Sequence, residues 1–466
     1  MAQRQRQVAR GATSREVRHP NAAGIDLGCN GSYVAVPAER DPQPVRRFGC
    51  YTPDLEALAD WLVQCGIDTV AMESTGVYWV PLMQVLERRG FEVYLVNARH
   101  VKNVPGRKSD VSDCQWLQQL HAYGLLAASF RPADEICVLR AYWRHRSGLI
   151  ERATAAVQHM HKALEQMNVQ LHKAVSDVTG VTGMRIVEAI LAGQRDPMAL
   201  ATLKDPRARA SQEELAKALQ GDWRAEHLFV LRQALEGYRF YQAQLQACDT
   251  EIATYLERLE PPAEGRTPPS PETTPTPSRK RLQGHVPAFD LGSHLCRLTG
   301  VDFTLIDGMN VLTVQTILAE VGLDPTRFGT GARFCSWLGL CPANRITGGK
   351  VHSSRTRPVA NPAATAFRLA AVAAGKTRGP LGQFYRRLRS RMGGPKAVTA
   401  TAHKLARLFF ALWRDHRPLD PQRMTADQQS TQKRRLRRLA QTARELGYKL
   451  VPQSLDVPQG SAAMTS

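Results

Sequence analysis

Four acids carry the chemistry this sequence offers: Asp26, Glu73, Asp110 and Asp113. Asp26 closes the apolar run AAGID and Glu73 closes DTVAME, so each stands at the end of a segment that reads as a strand. Asp110 and Asp113 lie three residues apart in KSDVSDCQWL. That spacing puts both on one side of a helix start, with Ser109 as its cap. Two-metal phosphoryl transfer needs several carboxylates converging on cations about 3.5–4 Å apart, and magnesium takes oxygen ligands while keeping some of its waters. Any one of these acids alone reads as a solvated or capping carboxylate. The four together, in this order on a basic chain, point to phosphodiester chemistry with about two magnesium ions per site.

A second set lies in RITGGKVHSSRTRP, where Gly348 and Gly349 stand among the hydroxyls of Thr347, Ser353, Ser354 and Thr356 and the cations Arg345, Lys350, Arg355 and Arg357. Glycines let a backbone approach phosphate closely. A hydroxyl among cations can attack a phosphodiester and form a covalent ester, and arginine can stabilise the charge of the pentacoordinate state. On composition alone, a phosphate-binding loop without catalysis is the plainer reading. Lys102, Arg107 and Lys108 precede the acid pair and suit a backbone phosphate beside it. Their plainer role is a solvated loop. Tyr78 and Trp79 are placed to stack on a base, though packing is the plainer role for them too.

The elements that must position these residues follow from periodicity. Residues 1–19 form a basic arm without an apolar core, so they are no secretory signal. Over 20–130, NAAGIDLG and GSYVAVPA read as a hairpin turning at Asn30-Gly31, followed by a weaker strand, a helix ending near Gly66, the strand DTVAMES, a helix, the strand FEVYLVNA and the helix of the acid pair. That is the order of a ribonuclease-H-like α/β fold. Over 131–260 the pattern is helical. Ile150, Ala153, Val157, Met160, Leu164, Met167 and Leu171 recur at steps of three and four, as do Leu231, Ala234, Tyr238, Tyr241, Leu245, Cys248, Ile252, Tyr255 and Leu259. Such spacing is a coiled-coil seam, serving either an antiparallel hairpin, a dimer arm, or two long helices on a globular body. Residues 261–285 are Pro- and Thr-rich and read as a linker. Residues 286–416 form a second, mainly α unit, and 417–466 a basic tail.

The 62 Lys and Arg exceed the 42 Asp and Glu by twenty. The excess bears on partners rather than fold, and nucleic acid is the commonest partner for it. The nine cysteines are scattered, odd in number and without a CxxC pair, which excludes a disulfide framework and a zinc site and fits a reducing cytoplasm. No apolar run approaches a membrane span.

GIDLG with Asp26, MESTGVYW with Glu73, KSDVSDCQWL with Asp110 and Asp113, and FCSWLGLCPANRITGGK in the second half resemble the DEDD transposases of insertion sequences, a group that includes Piv-type DNA invertases. The resemblance covers about residues 20–416. It implies a RuvC-like N-terminal domain dependent on magnesium and a C-terminal transposase domain whose serine forms a phosphoserine link to DNA. It further implies a composite site built from different protomers of a dimer or tetramer, and a structured guide RNA that pairs with donor and target DNA. A bacterial or archaeal, nucleoid-associated protein is implied as well. Counted from the Pro of GLCP, the serine position falls on Thr347 here. A threonine hydroxyl is the more hindered, which ranks Ser353 and Ser354 above it. The expected function is a transposase or site-specific recombinase that cuts and rejoins DNA. The alternatives are a junction-resolving nuclease that uses water, and a non-catalytic nucleic-acid-binding protein.

Overall fold

The computed structural model describes residues 17–74, 76–97, 110–260, 286–420, 433–434 and 436–451. Lys102, Arg107, Lys108 and Ser109 lie outside the described residues, as do residues 1–16 of the basic arm, the segment 261–285 and much of the tail. The chain divides into two units, one up to Arg131 and one from Pro132 onward.

The first unit runs β1 (Ala22–Gly28), β2 (Gly31–Ala35), β3 (Val45–Phe48), α1 (Thr52–Gln64), β4 (Thr69–Glu73), α2 (Trp79–Arg88), β5 (Glu92–Val96) and α3 (Asp110–Ala122). The strands form one mixed sheet in the order β3-β2-β1-β4-β5. The β1–β2 and β2–β3 pairs are antiparallel, and the β1–β4 and β4–β5 pairs are parallel. Alternation along the strands sorts their side chains between two faces. Ala23, Ile25, Leu27, Val70, Met72 and Leu95 join Leu55, Leu58, Leu62, Leu82 and Leu86 of α1 and α2 in a buried core. The intervening residues, Ala22, Gly24 and Asp26 on β1 and Thr69, Ala71 and Glu73 on β4, therefore face the other side, where α3 packs. The expected turn at Asn30-Gly31 is displaced by one residue. Gly28 pairs with Gly31, so Cys29 and Asn30 make the turn. Gly31 holds a positive φ, 137°, and a Cβ there would meet Phe48 O at 2.5 Å, so both the backbone and the space call for glycine.

The second unit is mainly helical, as the sequence leads one to expect. Helices α4 (Asp134–Gln166) and α9 (Ala225–Arg258) are its longest elements. They pair antiparallel: Tyr255 Oη donates to Glu135 O at 2.8 Å, and the buried Arg146 holds Asp249 at 2.5 and 3.2 Å. The two seams thus close on each other within one chain. The buried positions on α4 drift from the strict repeat. Leu149 and Ala156 are buried, whereas Ile150 and Val157 are only half-buried, as expected where 3.6 residues per turn run against a 3.5-residue repeat. Between the helices the chain forms α5 (Leu171–Ala174), α6 (Val181–Leu191), α7 (Pro197–Ala201) and α8 (Gln212–Ala218), which cap the pair through a core that includes Met160, Leu164, Ile186, Leu200, Leu215 and Leu231.

The remaining elements are α10 (Leu291–Thr299), α11 (Val311–Val321), α12 (Gly331–Trp337), β6 (Arg345–Thr347), β7 (Lys350–Ser353), α13 (Pro362–Ala374), α14 (Pro380–Met392) and α15 (Gly394–Asp415). Their core is aromatic: Phe303 stacks on Phe409 at 4.1 Å, and Phe334 meets Phe367, Phe410 and Trp413. The base of α4 is tied to α11. Arg144 makes a two-pronged pair with Glu320 at 2.9 Å on each arm, and Trp143 Nε1 donates to Thr316 Oγ1 at 3.0 Å. Arg297 of α10 donates to the Leu256 and Leu259 carbonyls at the end of α9, at 2.6 and 2.9 Å. Among the described residues no helix is long and apolar enough to cross a membrane.

Candidate active site

Parallel pairing of β1 with β4 sets the site. Ile25 lies opposite Met72, so one step further along the register Asp26 stands beside Glu73, with the strands about 4.8 Å apart. Both side chains are half-buried and belong to the α3 face. Asp110 opens α3 and is exposed, and Asp113, one turn on, is half-buried. The charges of Asp26 and Asp113 both reach the buried Cys114 thiol, which burial, and to a lesser degree these carboxylates, push up to about 12. A helix start and two strand ends thus direct acids to one side of the sheet.

Three contacts hold α3 there, and none is apparent from the acids themselves. At Gly24 the helix backbone touches the strand: a Cβ would lie 2.3 Å from both Cys114 O and Gln118 N. Gln118 Nε2 donates to Ala22 O at 3.3 Å. At the far end His121, fully buried, bonds Thr69 Oγ1 at 2.8 Å. Thr69 spends its own proton on Glu92 O at 3.1 Å, so His121 Nε2 carries the hydrogen and Nδ1 is the bare acceptor, buried without a partner among the described residues. A glycine inside a strand, two residues before an acid, is the sequence signal that could have revealed this close approach.

The His121 ring also stacks on His19 at 4.9 Å and tilts against Tyr94 at 4.5 Å. Burial, with the His19 charge second, lowers its pKa from 6.5 to about 4. Between these values the unfolded chain binds the proton and the folded chain does not. Stability is therefore full above about pH 6.5 and falls as the pH drops toward 4, by up to ~3 kcal/mol across the window. Denaturant midpoints at pH 7 and pH 5 should show the fall. His121→Leu should flatten that part of the profile, and an unchanged slope would remove His121 as its source.

The donor set of Asp26, Glu73, Asp110 and Asp113 is all oxygen, which suits a hard divalent cation. Among the described residues, however, no three His, Cys, Asp or Glu side chains stand close enough together to share a metal ion. Tyr78 is about half exposed at 49%, while Trp79 packs against the α1–α2 core.

In the second unit, the expected loop at 345–358 contains a hairpin. Thr347 pairs with Lys350, and Gly348 and Gly349 make the two-residue turn with φ of 56° and 75°. Two glycines at positive φ between the paired Thr347 and Lys350 are what this tight turn requires, so their conformational freedom is used in the turn itself. Thr347 is exposed beside it, with the Lys350 residue directly across the strands. Ser353 is half-buried, and its Oγ accepts from Arg355 N at 3.3 Å. Ser354 is exposed. Arg345, Lys350, Arg355 and Arg357 are exposed, and Arg357 donates to Ser336 O at 2.8 Å.

Two family models match the chain. A transposase model of the DEDD IS110 type matches residues 23–169, which include all four acids. A model of the transposase IS116/IS110/IS902 family matches residues 303–386, which include the hairpin. No curated protein matches the chain. With a transposase model matched on each side of residues 261–285, and in this order, the chain belongs to the IS110 family of DEDD transposases.

Proposed function

We propose that this transposase cuts and rejoins the DNA of its insertion sequence with Asp26, Glu73, Asp110 and Asp113 as ligands of divalent metal, magnesium by donor chemistry, and with a hydroxyl of the β6–β7 hairpin as nucleophile. The observation that carries the reading is the placement of Asp26 and Glu73 on one face of neighbouring parallel strands, with the acid-bearing start of α3 on that same face. The fold of the first unit is of the RuvC-like type on this reading. When bound, the metal would lower the charge on the scissile phosphate and assist the departing oxygen.

The hairpin oxygen attacks phosphorus and gives up its proton to solvent or to a neighbouring base. The bond from phosphorus to the DNA oxygen breaks, and that oxygen leaves as a hydroxyl after taking a proton. The strand end stays on the protein as a phosphoester, and attack by another DNA hydroxyl reverses the step and rejoins the strand. Thr347 has an exposed position and a cationic residue across the hairpin, whereas the Ser353 oxygen already accepts a backbone N–H. These features favour Thr347 over Ser353 despite its added methyl group, with Ser354 the remaining candidate. A guide RNA and assembly of several copies belong to the same reading. The +20 charge supports nucleic-acid partners in general.

Trapping the full-length protein on nicked DNA carrying the element ends, then mapping the modified peptide, tests the nucleophile. The expected result is a phosphoester on Thr347, Ser353 or Ser354, lost in the corresponding Val or Ala variant and kept in Thr347→Ser if Thr347 is the site. Efficient cleavage with no adduct would favour water as nucleophile and overturn the covalent step.

A further inference from the structure

The charge of this protein is concentrated in one place. From Pro325 through Arg414, 90 residues, there is no Asp or Glu, against 17 Lys and Arg. At the mean acid frequency of the chain about eight acids would be expected there. The rest of the sequence has 45 basic and 42 acidic residues, so nearly the whole net charge belongs to this stretch. It spans the hairpin and also α13, α14 and most of α15, well beyond the cations that flank the hydroxyls.

Some of these cations have internal work. Arg357 binds Ser336 O, and Arg386 donates to the Gly375 and Thr377 carbonyls at 2.9 and 2.6 Å. Others have none: Arg387, Arg389, Arg391, Lys396 and Lys404 are exposed, and their side chains form no ion pair or hydrogen bond among the described residues. Arg387 of α14 and Lys404 of α15 lie over the same ring, Phe384, at 5.5 and 4.7 Å from its centroid. Two cations from different helices thus share one half-buried ring, and neither has a carboxylate partner among the described residues.

The distribution around α14 says more. Leu381 and Tyr385 are buried and Leu388 is half-buried, which defines its inner side. At 100° per residue the outer crest is formed by Gln383 and Ser390, exposed and uncharged. Arg387 and Arg391 flank the crest on one side, Arg386 and Arg389 on the other. Neutral hydrogen-bonding groups along a crest with cations on both flanks match the pattern of a groove, where base edges lie at the floor and phosphates on the walls. A helix about 10–12 Å across fits the major groove of B-form DNA, about 12 Å wide. The deep, narrow major groove of A-form RNA excludes it.

We infer that α14 is a duplex-DNA docking helix, with Gln383 and Ser390 toward the bases and Arg387, Arg389, Arg391 and Lys404 toward the phosphates. The inference rests on the reading of the chain as a protein that acts on DNA, but not on its metal or its nucleophile.

The test is equilibrium binding of full-length Arg389→Gln/Arg391→Gln to a short blunt duplex of arbitrary sequence, by fluorescence anisotropy across a salt series, with an RNA hairpin in parallel. Each phosphate contact contributes about 0.9 to the slope of log K against log salt. The double variant should therefore lower the duplex slope by about 2 and weaken binding at least ~10-fold at low salt. RNA binding should change less than threefold. Arg389→Lys/Arg391→Lys should retain the slope, and this pair distinguishes lost contacts from a damaged helix. Gln383→Ala should leave the slope intact and reduce preference among duplex sequences. An unchanged duplex slope, or a loss confined to the RNA, would overturn the assignment. Asp26→Asn serves as the separate control: if it still cuts DNA, the acid reading fails while the binding result stands.

Discussion

Asp26→Asn and Glu73→Gln each fold and bind DNA as the parent does, yet cleave it at least ~10³-fold more slowly; that is the expected result. The amide keeps the volume and shape of the acid while removing its charge and its capacity to hold a hard cation. A cation that stabilises the transition state supplies several kcal/mol, and each 1.36 kcal/mol is a factor of ten in rate. Because both side chains are only half-buried, the cost in stability should stay within about 0.5 kcal/mol. Asp113→Asn belongs with them, since the Asp113 charge reaches the same thiol as that of Asp26. Asp110→Asn should cost less, because Asp110 is exposed at the first residue of α3. Cleavage rates on labelled DNA carrying the element ends decide the matter. Any variant that cuts within tenfold of the parent removes its acid from the site.

Gly24→Ala is the second large effect, and it reaches the chemistry without touching an acid. The new methyl would lie 2.3 Å from Cys114 O and Gln118 N and 2.9 Å from Gln118 Cα. All three are backbone atoms, so no rotamer change relieves the clash. The helix must lift off β1, at a cost of about 1–3 kcal/mol for overpacking. The same shift carries Asp113 away from Asp26. A displacement of about 1 Å in a reacting geometry costs on the order of 10²-fold, so cleavage should fall by that factor even at a temperature where the variant is folded. Gly148→Ala is the matched control: its methyl meets nothing within 4 Å in the middle of α4, and it should be neutral or stabilising by up to about 1 kcal/mol. A Gly24→Ala protein that melts and cuts like the parent would show that α3 does not need this contact.

The mixed sheet and the helical remainder were legible because alternation and apolar runs are local signals. Ile25, Val70 and Met72 announce strands whose ends can be read directly. The placement of α3 against the sheet was not legible, since it depends on Gly24, Thr69 and His121, residues that belong to three separated segments and carry no shared pattern. The first hairpin slipped by one residue because Asn-Gly favours a tight turn locally, while the approach of Phe48 O to Gly31 is a contact with a third strand. The opposite holds at Gly348-Gly349, where the turn signal lies within a segment so rich in polar and basic residues that its composition points to a loop, while its strands are short and almost wholly exposed. Periodicity located the seams of α4 and α9 but could not tell an internal partner from a second copy. The bond from Tyr255 to Glu135 and the Arg146–Asp249 pair supply the internal one.

Arg297, by grasping the last carbonyls of α9, brings the chain back beside the point where residue 260 leaves that helix. The chain on either side of residues 261–285 is therefore fastened together by contacts that those residues do not make. For a flexible connection between ends held in this way, each doubling of length costs only about 0.6 kcal/mol of closure entropy. Insertions or deletions within 261–285 should then leave the melting temperature of the second unit nearly unchanged, with α4, α9 and α10 keeping their geometry.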